Sequence, residues 1–258
     1  MDLQLKNKTA IVTGGTAGIG LAIVKALTAE GVTVTVPGRT QAKLDKSLAG
    51  LTNVRGIAAD VATAEGAQSL IQQVPDTDIL INNLGIYEPK GFADITDADW
   101  LSIFETNVLS GVRLSRHYFP GMIKRNSGRV IFISSESGVM TPPEMIHYGV
   151  TKSSQLAISR GLAELTKGTA VTVNTVMPGP TRSEGIVEFL EKMSTIPNAT
   201  PEQAEHEFFE KHRQSSLLQR LIEDSEIGNL VAFLASPLSA ATNGAALRAE
   251  GGLLRSIV

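Results

Sequence analysis

Short runs rich in valine and isoleucine alternate along the chain with longer stretches in which apolar residues recur every three or four positions. The runs at 9–13, 33–37, 55–58, 79–82, 129–134, 169–177 and 245–249 predict strands. Most are nearly unbroken apolar segments, as in AIVT, DILIN and RVIFIS, which is how a strand reads when both of its faces are buried. The stretches at 18–30, 41–49, 64–73, 97–125, 147–166 and 225–235 predict helices. Regular alternation of the two implies an α/β fold. About seven strands should form a doubly wound parallel sheet, with helices on both faces and right-handed crossovers.

One interval breaks the rhythm. Between 181 and 221 no strand is predicted, and PEQAEHEFFEKHR reads as a charged helix opened by Thr200 as its cap and Pro201 in its first turn. An insertion beyond the carboxyl end of a strand is placed to cover a ligand. The other reading is an ordinary surface excursion with a solvated helix face.

Composition narrows the class further. The 258 residues are 42% hydrophobic with a mean hydropathy of +0.07, enough for a single domain spanning 1–258 with a sizeable core. The net charge is −3 and the cations are scattered, which argues against nucleic acid or an anionic membrane as partner. There is no cysteine, so disulfides, thiolate nucleophiles and cysteine metal sites are excluded. The first fifteen residues enter a strand without a signal-like apolar region, and no apolar run could span a bilayer. The expected location is the cytoplasm.

Directly after the first predicted strand comes Thr13-Gly14-Gly15-Thr16-Ala17-Gly18-Ile19-Gly20, followed by an amphipathic helix. Glycines there let the backbone approach a pyrophosphate, and the helix start presents free N–H groups to it. The second strand ends Pro37-Gly38-Arg39, and no acid occurs between Gly31 and Leu44. An NAD site usually places a carboxylate in this region to hold the ribose hydroxyls. A guanidinium can instead clamp a 2′-phosphate, with Gly38 leaving space, so NADP(H) is the expected cofactor. Arg39 could also be merely solvated.

Tyr148 and Lys152 stand four residues apart on one helical face. An ammonium beside a phenol favours the phenolate and so should lower the tyrosine pKa from about 10. Ser135 lies at the end of a central strand, where such sheets bind ligands. Two hydroxyls could then hold a substrate oxygen while hydride reaches carbon.

These segments, taken in order, carry a family resemblance: TGGTAGIG, Asp60-Val61, Asn82-Asn83-Leu84-Gly85, Asn107, Ser135, Tyr148 with Lys152, and Pro178-Gly179 followed by Thr181. Over essentially its full length the chain resembles the short-chain dehydrogenases/reductases, with a Rossmann-like domain. The resemblance implies a carbonyl or secondary alcohol as the small-molecule substrate. It makes Tyr148 the acid in reduction and the base in oxidation, and Ser135 the group that polarises the substrate oxygen. Lys152 would hold the nicotinamide ribose, and Asn107 would fix a water linking Lys152 to solvent. Gly14, Thr16, Gly18, Ile19 and Gly20 would form the phosphate cradle. Asp60 and Val61 would meet the adenine, Asn83 the adenine ribose, and Thr181 the nicotinamide carboxamide, with Gly85, Pro178 and Gly179 bordering the cofactor.

Two positions depart from the family pattern. Leu84 replaces the usual alanine and should add volume beside the cofactor cleft; Glu250 stands where aspartate is commoner. The helices at 97–125 and 147–166 resemble those that pair subunits, so a homo-oligomer, tetramer or dimer, is expected, and light scattering would test it. Trp100, Leu101 and Phe104 are expected to pack on the core or on a partner subunit. No HExxH or compact acidic–histidine set suggests a metal. Met140, Met145 and the segment 183–190 suggest an apolar substrate pocket. A silent cofactor-sensing protein on the same fold would be expected to lack Ser135, Tyr148 or Lys152, and all three are present. An isomerase or dehydratase of this fold usually carries a longer substrate domain, and an enoyl reductase spaces its tyrosine and lysine differently.

Overall fold

A computed structural model describes residues 1–257, apart from the Glu184 side chain; Val258, the last residue of the expected domain, lies outside them. Seven strands form one sheet: β1 (Thr9–Val12), β2 (Thr33–Gly38), β3 (Val54–Ala58), β4 (Ile79–Asn82), β5 (Arg129–Ile133), β6 (Thr172–Pro178) and β7 (Ala246–Ala249). Their order is β3-β2-β1-β4-β5-β6-β7 and every pairing is parallel. Strand order therefore reverses between β1 and β4, the place where sheets of this kind open a crevice at their carboxyl ends.

Alternation within the strands explains their apolar sequences. Val12, Ile79, Ile81, Ile131 and Ile133 pack on one face against α1 (Gly18–Ala29) and α9 (Asp224–Ala235). Ile11, Leu80, Val130 and Phe132 turn to the other face, against α3 (Ala64–Gln73), α5 (Ser110–Lys124) and α6 (Ile146–Glu164). Successive side chains point to opposite faces, so a strand covered on both sides must be apolar at every position. The remaining helix on the first face, α2 (Gln41–Leu48), sends Leu44 into that cluster.

Two sequence expectations need correcting. The single helix at 97–125 is interrupted: α4 (Asp97–Phe104) passes through a π-helical turn at Glu105–Leu109 before α5 begins. Such turns often lie at functional positions, and this one carries Asn107. The strand expected from 169 starts only at Thr172. Thr169 instead closes a turn onto the Thr166 carbonyl, and Asn126 Oδ1 takes the Ala170 N–H at 2.7 Å.

The 181–221 insertion forms two helices, α7 (Glu184–Met193) and α8 (Pro201–Lys211). Thr200 caps α8 with Pro201 in the first turn, as expected, and Gln203 completes a capping box not anticipated from the sequence. A small core of Leu190, Ala204, Phe208, Phe209 and Leu221 joins the pair. An isolated parallel bridge between Thr181 and Ile222 closes the base of the insertion.

Candidate active site

Each predicted site residue outside α6 and the π turn lies just past, or at, the carboxyl end of a strand. Gly14 and Thr16 lie in the β1–α1 turn, Gly18, Ile19 and Gly20 open α1, and Arg39 follows β2, exposed. Asp60 and Val61 follow β3, Asn83 and Gly85 follow β4, Ser135 follows β5, and Pro178, Gly179 and Thr181 end or follow β6.

The glycine turn fits an anionic group. Gly14 has a φ of +66°, and a methyl on it would come 2.9 Å from Asn83 Nδ2. A methyl on Gly20 would meet the Gly14 carbonyl at 2.2 Å, so the loop closes this tightly only without side chains. The N-cap of α1, Ala17, offers no side-chain acceptor, and no acid stands in the first turn. Among the described residues, no side chain caps the free N–H groups at the positive dipole end of α1.

Thr13 holds this turn to β4. Its hydroxyl donates to the Ile81 carbonyl at 3.2 Å and accepts the Asn83 and Leu84 N–H groups, both at 2.9 Å. Asn83 returns the contact, donating Nδ2–H to the Thr13 carbonyl at 2.9 Å. Leu84 is half-buried and packs against the second core cluster. The space expected above Gly38 is filled by Leu44, whose Cδ2 would sit 2.9 Å from an added methyl. Val61 is buried in the same cluster as Leu84's neighbours, while Asp60 Oδ1 accepts the Ala62 N–H at 3.2 Å.

Asn107 is 1% exposed and bonded on every side, rather than the solvated helix residue its sequence context suggests. Its Oδ1 accepts the Ile86 N–H at 2.7 Å, and its Nδ2 donates to the Ile86 carbonyl at 2.9 Å and to Thr151 Oγ1 at 3.0 Å. The π turn thereby ties the loop after β4 to α6. Gly85 lies against the same pair: the position of its missing Cβ is 3.5 Å from both Asn107 Oδ1 and Lys152 Nζ.

Sequence reasoning missed Gln155. It is 2% exposed, accepts from Lys152 Nζ at 3.2 Å and donates Nε2–H to the Asn107 carbonyl at 2.6 Å. The side chain of Gln155 thus bridges the Asn107 carbonyl and the Lys152 ammonium directly. Its spacing, three residues past Lys152 on the same helical face, was the available signal. Lys152 Nζ also donates to the Ile133 carbonyl at 3.0 Å and stands 5.5 Å from the centre of the Tyr148 ring.

The electrostatics reverse one expectation. Tyr148 is held above the usual tyrosine value, not below it: burial dominates, the Glu136 charge adds to it, and the Ser135 hydroxyl opposes. Burial pushes the Lys152 ammonium down to about 8, with Glu136 partly restoring it. Burial of both groups outweighs the attraction of the ammonium for the phenolate.

Around this centre, Tyr87 meets Tyr148 edge-on, ring centres 6.1 Å apart. His147 turns away to stack on Trp100 at 5.9 Å and is buried. Thr181 Oγ1 donates to the Gly179 carbonyl at 2.9 Å. The start of α7 reaches both halves of the crevice: Ser183 Cβ lies 3.5 Å from where a methyl on Gly18 would be, and Tyr87 Oη lies 3.2 Å from one on Gly185. The cavity beside Met140, about 380 Å³, is lined by Lys211, His212, Gln214, Ser215, Leu253 and Arg255. Neither Met145 nor any residue of 183–190 lines it, and Ser135 and Tyr148 lie outside it, so this cavity is distinct from the apolar pocket the sequence suggested.

A parallel sheet with an anion cradle at its switch point and a Ser, Tyr and Lys set alongside defines a class, and comparison with known proteins agrees. Residues 8–193 match the family described as short chain dehydrogenase, and the chain belongs to this family of oxidoreductases. It is 49% identical to the uncharacterized oxidoreductase YvaG of Bacillus subtilis (strain 168), covering 100% of both chains. It is 31% identical to the 3-oxoacyl-[acyl-carrier-protein] reductase FabG of Vibrio cholerae, covering 97% of this chain and 99% of the relative. Among solved structures, L-sorbose reductase from Gluconobacter frateurii, in complex with NADPH and L-sorbose, superposes with a TM-score of 0.93 at 26% identity over 100% of both chains.

Proposed function

We propose that the protein is an NADP(H)-dependent oxidoreductase that moves a hydride between the nicotinamide and a carbonyl or secondary alcohol substrate. The observation that carries this reading is the meeting of the Ser135 hydroxyl, the Tyr148 phenol and the Lys152 ammonium beside an uncapped, glycine-lined helix start. Bound NADPH would supply the hydride. The rest of the chemistry belongs to the chain.

In reduction, Tyr148 donates its proton to the substrate oxygen while Ser135 holds that oxygen in place. Burial keeps the phenol neutral, so it enters the reaction loaded as an acid. Lys152 stabilises the phenolate left behind through its charge, and Asn107 with Gln155 fixes the position of the ammonium. In oxidation the same groups run in reverse.

The cofactor would rest its pyrophosphate on the start of α1, its adenine near Asp60 and Val61, its adenine ribose near Asn83, and its nicotinamide end near Lys152 and Thr181. Arg39 would take the 2′-phosphate. Support comes from the exposure of Arg39, from the absence of any acid between Gly31 and Leu44, and from the NADPH bound by the sorbose reductase. The α7–α8 unit would act as a cover over a single domain, since the start of α7 spans from Gly18 to Tyr87. Exposed Leu101 and Phe104 on α4 are consistent with a homo-oligomer.

Screening carbonyl compounds while following NADPH absorbance tests the activity. Catalytic efficiency with NADPH should exceed that with NADH by about tenfold or more, and Arg39→Ala should erase most of the difference. A strong preference for NADH would contradict the cofactor assignment.

A further inference from the structure

The turn that follows β5 carries an acid that none of the roles above uses. Glu136 comes directly after Ser135 and is only 6% exposed. Ser135 Oγ donates to Glu136 Oε2, and Ser137 Oγ donates to Oε1 at 3.2 Å. The Ser137 N–H donates back to Ser135 Oγ at 3.1 Å. The carboxyl group is therefore bonded to the very hydroxyl expected to hold the substrate oxygen.

Among the described residues no cation is paired with it. Arg213, from the segment after α8, acts on Glu136 only through space; its guanidinium donates to the His212 carbonyl at 2.9 Å and lies 3.5 Å from Glu144. Lys152 spends its ammonium on Ile133 and Gln155. A buried carboxylate without a contacting cation is costly in its charged form. Burial accordingly pushes Glu136 above the ordinary carboxylate range, and Ser135, Arg213 and Ser137 pull it only partly back.

Ser135 has one proton to give. While Glu136 is ionised, that proton points at Oε2, and Ser135 offers only lone pairs to anything on its other side. A carbonyl oxygen is also an acceptor and gains nothing from lone pairs. A neutral Glu136 has an O–H of its own and can donate it to Ser135 Oγ, which reverses the bond. On the carbonyl–alcohol reading above, we propose that Glu136 is a positioning residue for Ser135. Its neutral carboxyl, donating to Ser135 Oγ, leaves the Ser135 proton free for the substrate oxygen. Glu136 keeps its proton throughout; only the direction of a hydrogen bond changes.

The groups that bear on this carboxyl are Tyr148 and Lys152 on α6, Arg213 after α8, Glu144 beside Arg213, and Tyr87 through Tyr148. Reduction should weaken as pH rises through the raised Glu136 ionisation, because the productive form is the protonated one.

Two measurements test the assignment. In pH profiles of carbonyl reduction, Glu136→Ala should lower kcat by about tenfold or more while NADPH affinity stays within about twofold. Glu136→Gln, whose amide can donate to Ser135 Oγ as a neutral carboxyl does, should recover most of that loss and should lack the Glu136-dependent alkaline fall. Separately, the infrared difference spectrum of wild type minus Glu136→Gln should contain a protonated-carboxyl stretch at the pH of fastest reduction, a readout that needs no turnover. A Gln variant as poor as the Ala variant, a Gln profile superimposable on wild type, or absence of the carboxyl band would each overturn the role of Glu136. Failure to reduce any carbonyl compound while the band is present would overturn the functional reading and leave the neutral carboxyl established.

Discussion

Lys152 sits where an ammonium is expensive. It is 4% exposed, makes no ion pair among the described residues, and is satisfied by a backbone carbonyl and by Gln155. Gln155 in turn donates to the Asn107 carbonyl, so one amide spans Lys152 and the π turn. Replacing Gln155 with Leu would leave the buried Asn107 carbonyl without this partner and free the ammonium to shift. Loss of stability on the order of 1–3 kcal/mol is expected from the orphaned acceptor. Turnover should fall by about tenfold with little change in NADPH affinity; denaturation and steady-state kinetics check both. Unchanged kinetics would remove Gln155 from the site. Of this, only the three-residue spacing of Gln155 from Lys152 was visible in the sequence. Ser135, Tyr148 and Lys152 were marked by spacing and family resemblance, but Glu136 and Gln155 act through partners that only folding brings near. Glu136 stands next to a marked residue, yet a charged side chain after a strand ordinarily reads as solvated.

At the scale of elements, α7 and α8 depend on a small core and a polar clasp at its edge. Glu207 accepts from Ser194, from Thr195 and, at 2.6 Å, from Lys211, which together pull its carboxyl down to about 2. A carboxyl whose folded-state pKa is lowered stabilises fully above its ordinary value, near 4.5, and loses that contribution as pH falls toward 2. Hydrogen exchange, corrected for intrinsic rate, should show α7 and α8 losing protection across that window before the sheet does. Glu207→Gln should loosen the same helices already at neutral pH. Equal protection in variant and wild type would show that the clasp is idle. The pair of helices was only half visible beforehand: Thr200 and Pro201 announce α8, whereas nothing in the 183–190 pattern alone fixes α7. The single helix expected at 97–125 failed for a related reason. Its periodicity is continuous, and the π turn is set by Asn107 bonding to Ile86 and Thr151, contacts distant in sequence.

Across the whole molecule, the parallel seven-stranded sheet was the most legible feature, because strands covered on both faces are apolar throughout and helices punctuate them; its strand order came only with the fold. That order places every strand's carboxyl end on one rim and makes β1 and β4 neighbours. The glycine cradle, the π turn and the head of α6 therefore share one crevice, although 135 residues separate Gly14 from Gly149. The start of α7 approaches both sides, at Gly18 and at Tyr87. On the proposed function, chemistry in that crevice rests on a neutral phenol able to give up its proton. Tyr148→Phe keeps the ring and its edge contact with Tyr87 but removes the proton. Parallel measurement of turnover and NADPH affinity in this variant is therefore the most direct test. The account predicts a fall in kcat of about a thousandfold or more, with NADPH dissociation within about twofold of wild type. Turnover that survives within about tenfold would show that the proton comes from elsewhere and would contradict the account.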